Sequence, residues 1–232
     1  DIDPRQFPLP AIRSLISQAK NALVLPDDLD AQANTPPTRA AARVYHVLQR
    51  RLEKANAMDF DDLIMKTVEL LRGDSTVREY YQRRFHYIMV DEYQDTNTAQ
   101  FELVRLLADG YRNLCVVGDD DQSIYRFRGA NIYNILHFEE HYPDAKVIKL
   151  EQNYRSTQNI LTAANGVIAN NTGRKDKSLW TNSGEGEKVL LRQFDSAYEE
   201  AEFVADSIAS LVRRREYSYR DCAILYRTNA QS

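Results

Sequence analysis

Glycine is scarce in this chain, eight residues in 232, and none of them opens a phosphate-cradling loop. The pattern G-x-x-x-x-G-K-[ST], whose backbone N–H groups wrap nucleotide phosphates, occurs nowhere. Cysteine is scarcer still. Cys115 and Cys222 are the whole complement, and both sit inside apolar runs. That excludes a disulfide scaffold and predicts two reduced, buried thiols in an intracellular, cytoplasmic protein. No apolar run approaches the roughly 18 residues of a membrane span, and no signal peptide is visible. An excess of positive charge is missing too. The formal net charge is −4, so any nucleic-acid contact must come from a local patch. The four histidines, His46, His86, His137 and His141, keep no metal-ligand spacing with the cysteines, so no zinc site is predicted. Internal repeats and low-complexity tracts are likewise absent.

What remains is the composition of a soluble globular protein, 43% hydrophobic and 28% charged, with length for one large domain or two small ones. The chain opens on Asp1 and stops at Ser232 just after a strand-like run, and so reads as an internal piece of something longer.

The first part reads as helical. Ile12, Leu15, Ile16 and Ala19 form one helical stripe. The stretch LVLPDDLDAQANTPPTRA, with Pro26, Pro36 and Pro37, reads as a break. A second helix carries Val44, Leu48, Leu52 and Ala55; a third opens at Asp59 and is stopped by Gly73. From residue 85 the pattern becomes strand–helix–strand–helix. HYIMVDE, LCVVGD and KVIKLEQNY are apolar strand runs, separated by helices over Asn97–Gly110 and Asn131–Tyr142, and Ser156 is placed to cap a helix running through Asn170. The fold class predicted is α/β, a parallel sheet covered on both faces, because the strands lack alternation. Beyond a polar loop from Asn171, KVLLRQF and CAILYRT read as further strands. Between them Ser196 and Glu199 match a capping box.

Three of these strands end in reactive polar groups: YIMV in Asp91-Glu92, CVV in Gly118-Asp119-Asp120-Asp121-Gln122, and VIKL in Glu151-Gln152-Asn153-Tyr154-Arg155. Open α/β sheets bind ligands outside the carboxyl ends of their strands. An adjacent acid pair there suits a Mg²⁺ held by one carboxylate while the other orients and deprotonates water. Arg155 matches phosphate bidentately, and Gln122 suits a terminal phosphate or a water. For any cluster alone a plainer reading stands: Asp91 as a helix cap, Asp119–Asp121 as a solvated turn, Arg155 in a surface salt bridge. Tyr125-Arg126-Phe127-Arg128 interleaves two π-faces with two cations, the pattern of a single-strand stacking platform, or of core aromatics beside surface arginines. The run Arg213–Arg215 reads as a solvated helix end and Trp180 as a packing residue.

VDEYQDT, GDDDQSIYRFRGA and LEQNYRST, in this order, resemble motifs II, III and IV of superfamily 1 DNA helicases of the UvrD/PcrA/Rep type. The closing LYRTNAQS is similar to sequence of that family's second motor domain. The resemblance is strong over residues 58–232 and looser over 1–57. It implies RecA-like motor domains of the P-loop NTPase type with a helical insertion: 1–57 as part of the 1B insertion, 58–155 as the later half of domain 1A, 156–232 as the first part of 2A. The phosphate loop then lies upstream of residue 1 and motifs V and VI beyond residue 232.

The activity implied is an ATP-dependent, three-prime to five-prime DNA helicase of repair or replication, with ATP bound between 1A and 2A. By the same resemblance Asp91 holds Mg²⁺, Glu92 activates the attacking water, and Gln122 contacts the γ-phosphate. Tyr154 stacks on adenine and Arg155 acts as an arginine finger. Phe60 (in MDFDDL), Tyr125, Phe127, Arg128, Arg227 and Asn229 line the path of single-stranded DNA. Many relatives carry Trp where this chain has Phe127, a smaller stacking face. The implied partners are single-stranded DNA, single/double-strand junctions and repair proteins, with no membrane. Two other classes stay open: a metal-dependent nuclease using Asp91, Glu92 and Asp95 for two ions, and a non-catalytic DNA-binding fragment.

Overall fold

The computed structural model describes residues 2–125, 129–175 and 177–229. Phe127 and Arg128 of the expected DNA path lie outside the described residues.

The chain begins with helix α1 (Leu9–Asn21), whose buried stripe is Ile12, Ile16 and Ala19. The proline-rich stretch that reads as a break instead starts two helices, α2 (Pro26–Gln32) and α3 (Pro36–Lys54). A proline in the first turn gives up an N–H that has no helical partner anyway. Asp27 and Asp28 add charge at the favourable end of α2, and Thr35 accepts from the Thr38 amide to cap α3. Ala40, Ala41 and Tyr45 of α3 close on the α1 stripe to make the first core cluster. Full burial of a side chain the size of Ile12 or Ile16 contributes about 1.5–3 kcal/mol.

Lys20, at the end of α1, is fully buried. Its ammonium donates to Asp59 Oδ2 at 2.6 Å and to Asp62 Oδ1 at 2.9 Å, and Gln49 Nε2 adds a 3.1 Å bond to the same Asp62 oxygen. Burial pushes the Asp62 carboxyl up, but the bonds from Lys20, the Asp59 amide and Gln49 outweigh it and hold the group below its usual range. Asp59 is the N-cap of α4 (Phe60–Gly73), so this buried network fixes the start of that helix. A helix not expected from the sequence analysis follows at once: α5 (Ser75–Arg84), capped by Asp74. Val68 and Leu71 of α4 pack on Leu106 of α6 (Thr98–Ala108) as a second cluster.

Strands β1 (Ile88–Val90) and β2 (Leu114–Val116) pair in parallel on either side of α6, in the register Ile88–Leu114, Met89–Cys115, Val90–Val116. Burial on both faces is not what the structure shows. The middle residue of each strand is open: Met89 is 79% exposed and Cys115 is exposed beside it. The expectation of two buried thiols is therefore corrected, since Cys115 points to the uncovered face and Cys222 is only half-buried. An apolar strand is sheltered only where another layer lies against it, and among the described residues nothing covers this face.

The helix expected over Asn131–Tyr142 is two short ones, α7 (Tyr133–Leu136) and α8 (Phe138–His141), because His137 (φ −103°, ψ 20°) leaves the helical region between them. Two further helices follow, α9 (Gln158–Ile168) and α10 (Ala197–Arg213), the latter capped by Ser196 accepting from the Glu199 amide. The chain divides into two compact units, Asp1–Leu150 with Ile168–Ser178, and Glu151–Val167 with Leu179–Ser232.

The remaining expected strands are corrected as well. The runs at 146–150, 188–194 and 222–228 form no strand among the described residues; near them there is one isolated bridge, Gln152 with Trp180. Leu191 and Leu225 are 93% and 95% exposed. β propensity expresses fit to a pleated, half-buried surface, and these segments find no ladder to join. Among the described residues no helix is long and apolar enough to cross a membrane.

Candidate functional site

The first unit holds two of the three polar clusters at adjacent strand ends. Asp91 and Glu92 follow directly on Val90, and both are exposed. Glu92 takes the left-handed conformation, φ 49° and ψ 42°. That is uncommon for a residue with a Cβ and is found where surrounding structure enforces it, functional sites among them. The turn swings the chain out of the strand, so two neighbouring acids need not point to opposite faces. The Glu92 amide donates to Asp91 Oδ1 at 2.9 Å. A 3-10 turn over Tyr93–Asp95 comes next, with the Tyr93 ring buried and edge-on to Phe138.

The loop after β2 is tied to this turn. Val117 N donates to Val90 O and Tyr93 N to Val117 O, carrying the pairing beyond the strands. Gln94 sits between the two loops at 1% exposure. Its Nε2 donates to Glu92 Oε2 at 2.8 Å, and its Oε1 accepts from the Asp119 amide at 2.9 Å. Gln122 ends the turn Asp120–Gln122 and donates to Asp119 Oδ2 at 2.7 Å. Asp95, close by, is pushed up by burial and then by the charge of Glu92.

Asp119, Asp120 and Asp121 converge closely, and among the described residues they are the one acidic trio able to surround a single ion. Cations of this chain already hold them. Lys177 reaches all three carboxylates, and Arg174 makes a two-pronged contact with Asp121. The Lys175 amide donates to Asp120 Oδ2. Arg174 first, and Lys177 after it, hold Asp121 below its ordinary range against the effect of burial.

Asp91, Glu92 and Asp95 do not form such a trio. The Asp91 carboxylate is exposed at the strand end, with one oxygen taking the Glu92 amide. A hard oxygen donor open to solvent fits Mg²⁺, which keeps several waters and takes few protein ligands.

Phe60, the first residue of α4, is 90% exposed, and Tyr125 is exposed as well. Tyr154 and Arg155 belong to the second unit. Asn153 orders their turn, its Oδ1 accepting from the amides of Arg155 at 2.9 Å and Ser156 at 2.7 Å. The Tyr154 ring is 80% exposed, and its hydroxyl donates to Gln152 Oε1. Trp180 anchors the same stretch through its backbone, donating to Glu151 O and accepting from Asn153 N. Arg227 and Asn229 are exposed in this unit. Arg213–Arg215 close α10 in solvent. Gln94, Arg174 and Lys177 have site-building roles that no local pattern announces, because each acts on at least one residue far away in the chain.

Residues 1–143 match the family model of the UvrD/REP helicase N-terminal domain, and residues 148–232 match that of the UvrD-like helicase C-terminal domain. The chain is 51% identical over all of its 232 residues to a Bacillus subtilis protein named ATP-dependent DNA helicase PcrA. It is 52% identical, again over its whole length, to the Staphylococcus aureus protein of the same name. It spans 31% and 32% of those two relatives, about a third of their length. An α/β unit with acids at the ends of parallel strands, matched along most of its length by the first of these domain models, belongs to the UvrD/REP helicase family.

Proposed function

We propose that a protein carrying this segment is an ATP-driven DNA helicase, moving three-prime to five-prime on single-stranded DNA and opening single/double-strand junctions in DNA repair or replication. The observation that carries this reading is the joining of the acid pair Asp91-Glu92 to the Gln122 loop at the ends of two paired parallel strands. The names of its relatives support it. The domain reading that goes with it is RecA-like: part of a 1B insertion over 1–57, the later half of 1A over 58–155 and the first part of 2A over 156–232.

In this mechanism Glu92 orients the attacking water and takes its proton, a role its left-handed turn serves by lifting the carboxylate out of the strand. Asp91 is the residue that would hold Mg²⁺, which when bound neutralises charge on the phosphate oxygens. Gln122 offers its amide to the terminal phosphate. Arg155 stabilises the charge that spreads over the transferring group, and Tyr154 presents an open ring to the adenine. Phe60, Tyr125, Phe127, Arg128, Arg227 and Asn229 carry the strand by stacking and phosphate contact. A motor on DNA works where DNA and ATP are, which puts the protein in the cytoplasm, with DNA-repair proteins as its partners.

A two-metal nuclease is the weaker reading. The acids it needs do not converge, and the trio that does is held by Lys177 and Arg174. The deciding experiment measures ATP hydrolysis by the full-length protein with and without single-stranded DNA, alongside separation of a duplex bearing a three-prime tail. DNA-stimulated turnover with ATP-dependent unwinding is expected. Mg²⁺-dependent DNA cleavage without ATP, in place of unwinding, would reverse the assignment.

A further inference from the structure

The side-chain amide of Gln94 is buried, yet both its polar atoms are engaged, and by two different loops. The network fixes its orientation. The nitrogen must face the Glu92 carboxylate, which only accepts, and the oxygen must face the Asp119 N–H, which only donates. The backbone is tied in as well, since the Gln94 carbonyl accepts from Ser123 Oγ at 3.4 Å. Gly118 leaves the room: a Cβ there would lie 2.7 Å from Gln94 Oε1. The loop that begins at Gly118 ends its turn at Gln122, whose own amide is held by Asp119. One continuous chain of hydrogen bonds thus runs from Glu92 through Gln94 and Asp119 to Gln122.

We infer that Gln94 is a positioning residue that couples the Gly118–Gln122 loop to the Glu92 carboxylate, so that movement of the loop is felt at the group that activates water. The inference rests on the ATP-hydrolysis reading given above. Of the two bonds, the one to Glu92 is charge-assisted, and burial strengthens both. A side chain that only donates or only accepts breaks the chain at one end. Glutamate in this place accepts at both ends and sets a second carboxylate against Glu92. Methionine has the length of glutamine and makes neither bond.

The test uses the full-length protein with Gln94→Met and Gln94→Glu, each alone and combined with Glu92→Gln. DNA-stimulated kcat and KM for ATP are measured, with the thermal unfolding midpoint. Partners one step removed from a reacting group typically matter by about 10–100-fold. The expected result is a kcat lower by that factor with KM for ATP near wild type. In the Glu92→Gln background the same changes should add nothing, since residues that act through one another are not additive. Unchanged kcat overturns the inference. So does an equal loss in the Glu92→Gln background, or a kcat that falls only together with KM and the unfolding midpoint in both variants. If Gln94→Met melts early, Gln94→Glu keeps the side-chain length for the same comparison. Wild-type protein without DNA-stimulated turnover would sink the helicase reading; wild-type turnover matched by both variants sinks the Gln94 coupling alone.

Discussion

Arg174 grips Asp121 with two parallel hydrogen bonds, Nε to Oδ1 at 2.8 Å and Nη2 to Oδ2 at 2.6 Å. This planar fork, with Lys177 beside it, fastens Arg174 and Lys177 to the turn that carries Gln122. Burial alone would push Asp119 up and Lys177 down, but their mutual contact reverses both: the carboxyl is held low and the ammonium is raised. The contribution of Asp119 and Asp121 is thus complete above the ordinary carboxylate range near 4 and is lost as pH falls through their depressed values. That of Lys177 is complete below its ordinary value near 10.5 and is lost as pH rises through the elevated one. Lys177→Met leaves three acids short of a cation. It should destabilise the first unit by about 3 kcal/mol at neutral pH, with a smaller penalty at pH 3, as read from urea melts at the two pH values. An equal penalty at both would assign the loss to packing.

Gly118→Ala places a methyl against Gln94 Oε1, Ile135 Cδ1 at 2.8 Å and the Tyr93 amide nitrogen at 3.1 Å. The backbone atom cannot yield and the glutamine is held at both ends. A loss of about 1–3 kcal/mol in stability is expected, as for overpacked interiors, together with reduced ATP turnover in the full-length protein. A variant as stable and as active as wild type would show that the two loops part easily.

Lys20→Met should be the costlier change in the helical part. It strands Asp62 in a site with almost no solvent, and removing one partner of a buried pair costs about 3–5 kcal/mol. Thermal unfolding of this 232-residue chain measures it. The double variant Lys20→Met, Asp62→Leu should recover much of the loss, and failure to recover would point away from the stranded charge.

Phe60→Ala separates binding from stability. With 90% of its surface already in water, the ring has little to lose on truncation. Single-stranded DNA affinity of the full-length protein should nonetheless fall by about 1–3 kcal/mol, the worth of one stacked base. Anisotropy titration against labelled oligonucleotide reads this, and unaltered affinity would take Phe60 off the DNA path.

Glu92→Gln in the full-length protein should leave ATP binding intact and cut DNA-stimulated hydrolysis by about 10²–10⁴, the range of a general base. Near-normal turnover would move the base assignment elsewhere.

The parts of this molecule legible from sequence are those written locally. The stripe Ile12, Ile16, Ala19, the Ser196 cap and the acids after an apolar run all follow from spacing along a few residues. Helix α2 was written there too, in a proline followed by two aspartates, where a start signal can be taken for a break. Helix α5 was legible too, with Val77, Tyr80 and Tyr81 at i, i+3 and i+4, but its cap, Asp74, follows directly on Gly73, which reads as a stop. The strand runs at 188–194 and 222–228 show the opposite failure, with a strong local preference and no pairing neighbour among the described residues. The candidate site divides in the same way. Asp91, Glu92 and Gln122 stand out as polar residues ending apolar runs. Gln94 and Lys177 do not, because their meaning lies in partners 25 and 58 residues distant.

The open sulfur pair on the sheet has a practical consequence. Met89 and Cys115 stand side by side in register on a face that no described residue covers, a thioether and a thiol both open to peroxide. Treated with peroxide, the chain is expected to take up oxygen at Met89 and Cys115, in the centre of its only described sheet. A thiol reductant guards Cys115 but does not return a Met89 sulfoxide, so the mass of the Met89 and Cys115 peptides is the record of the state in which a property is measured.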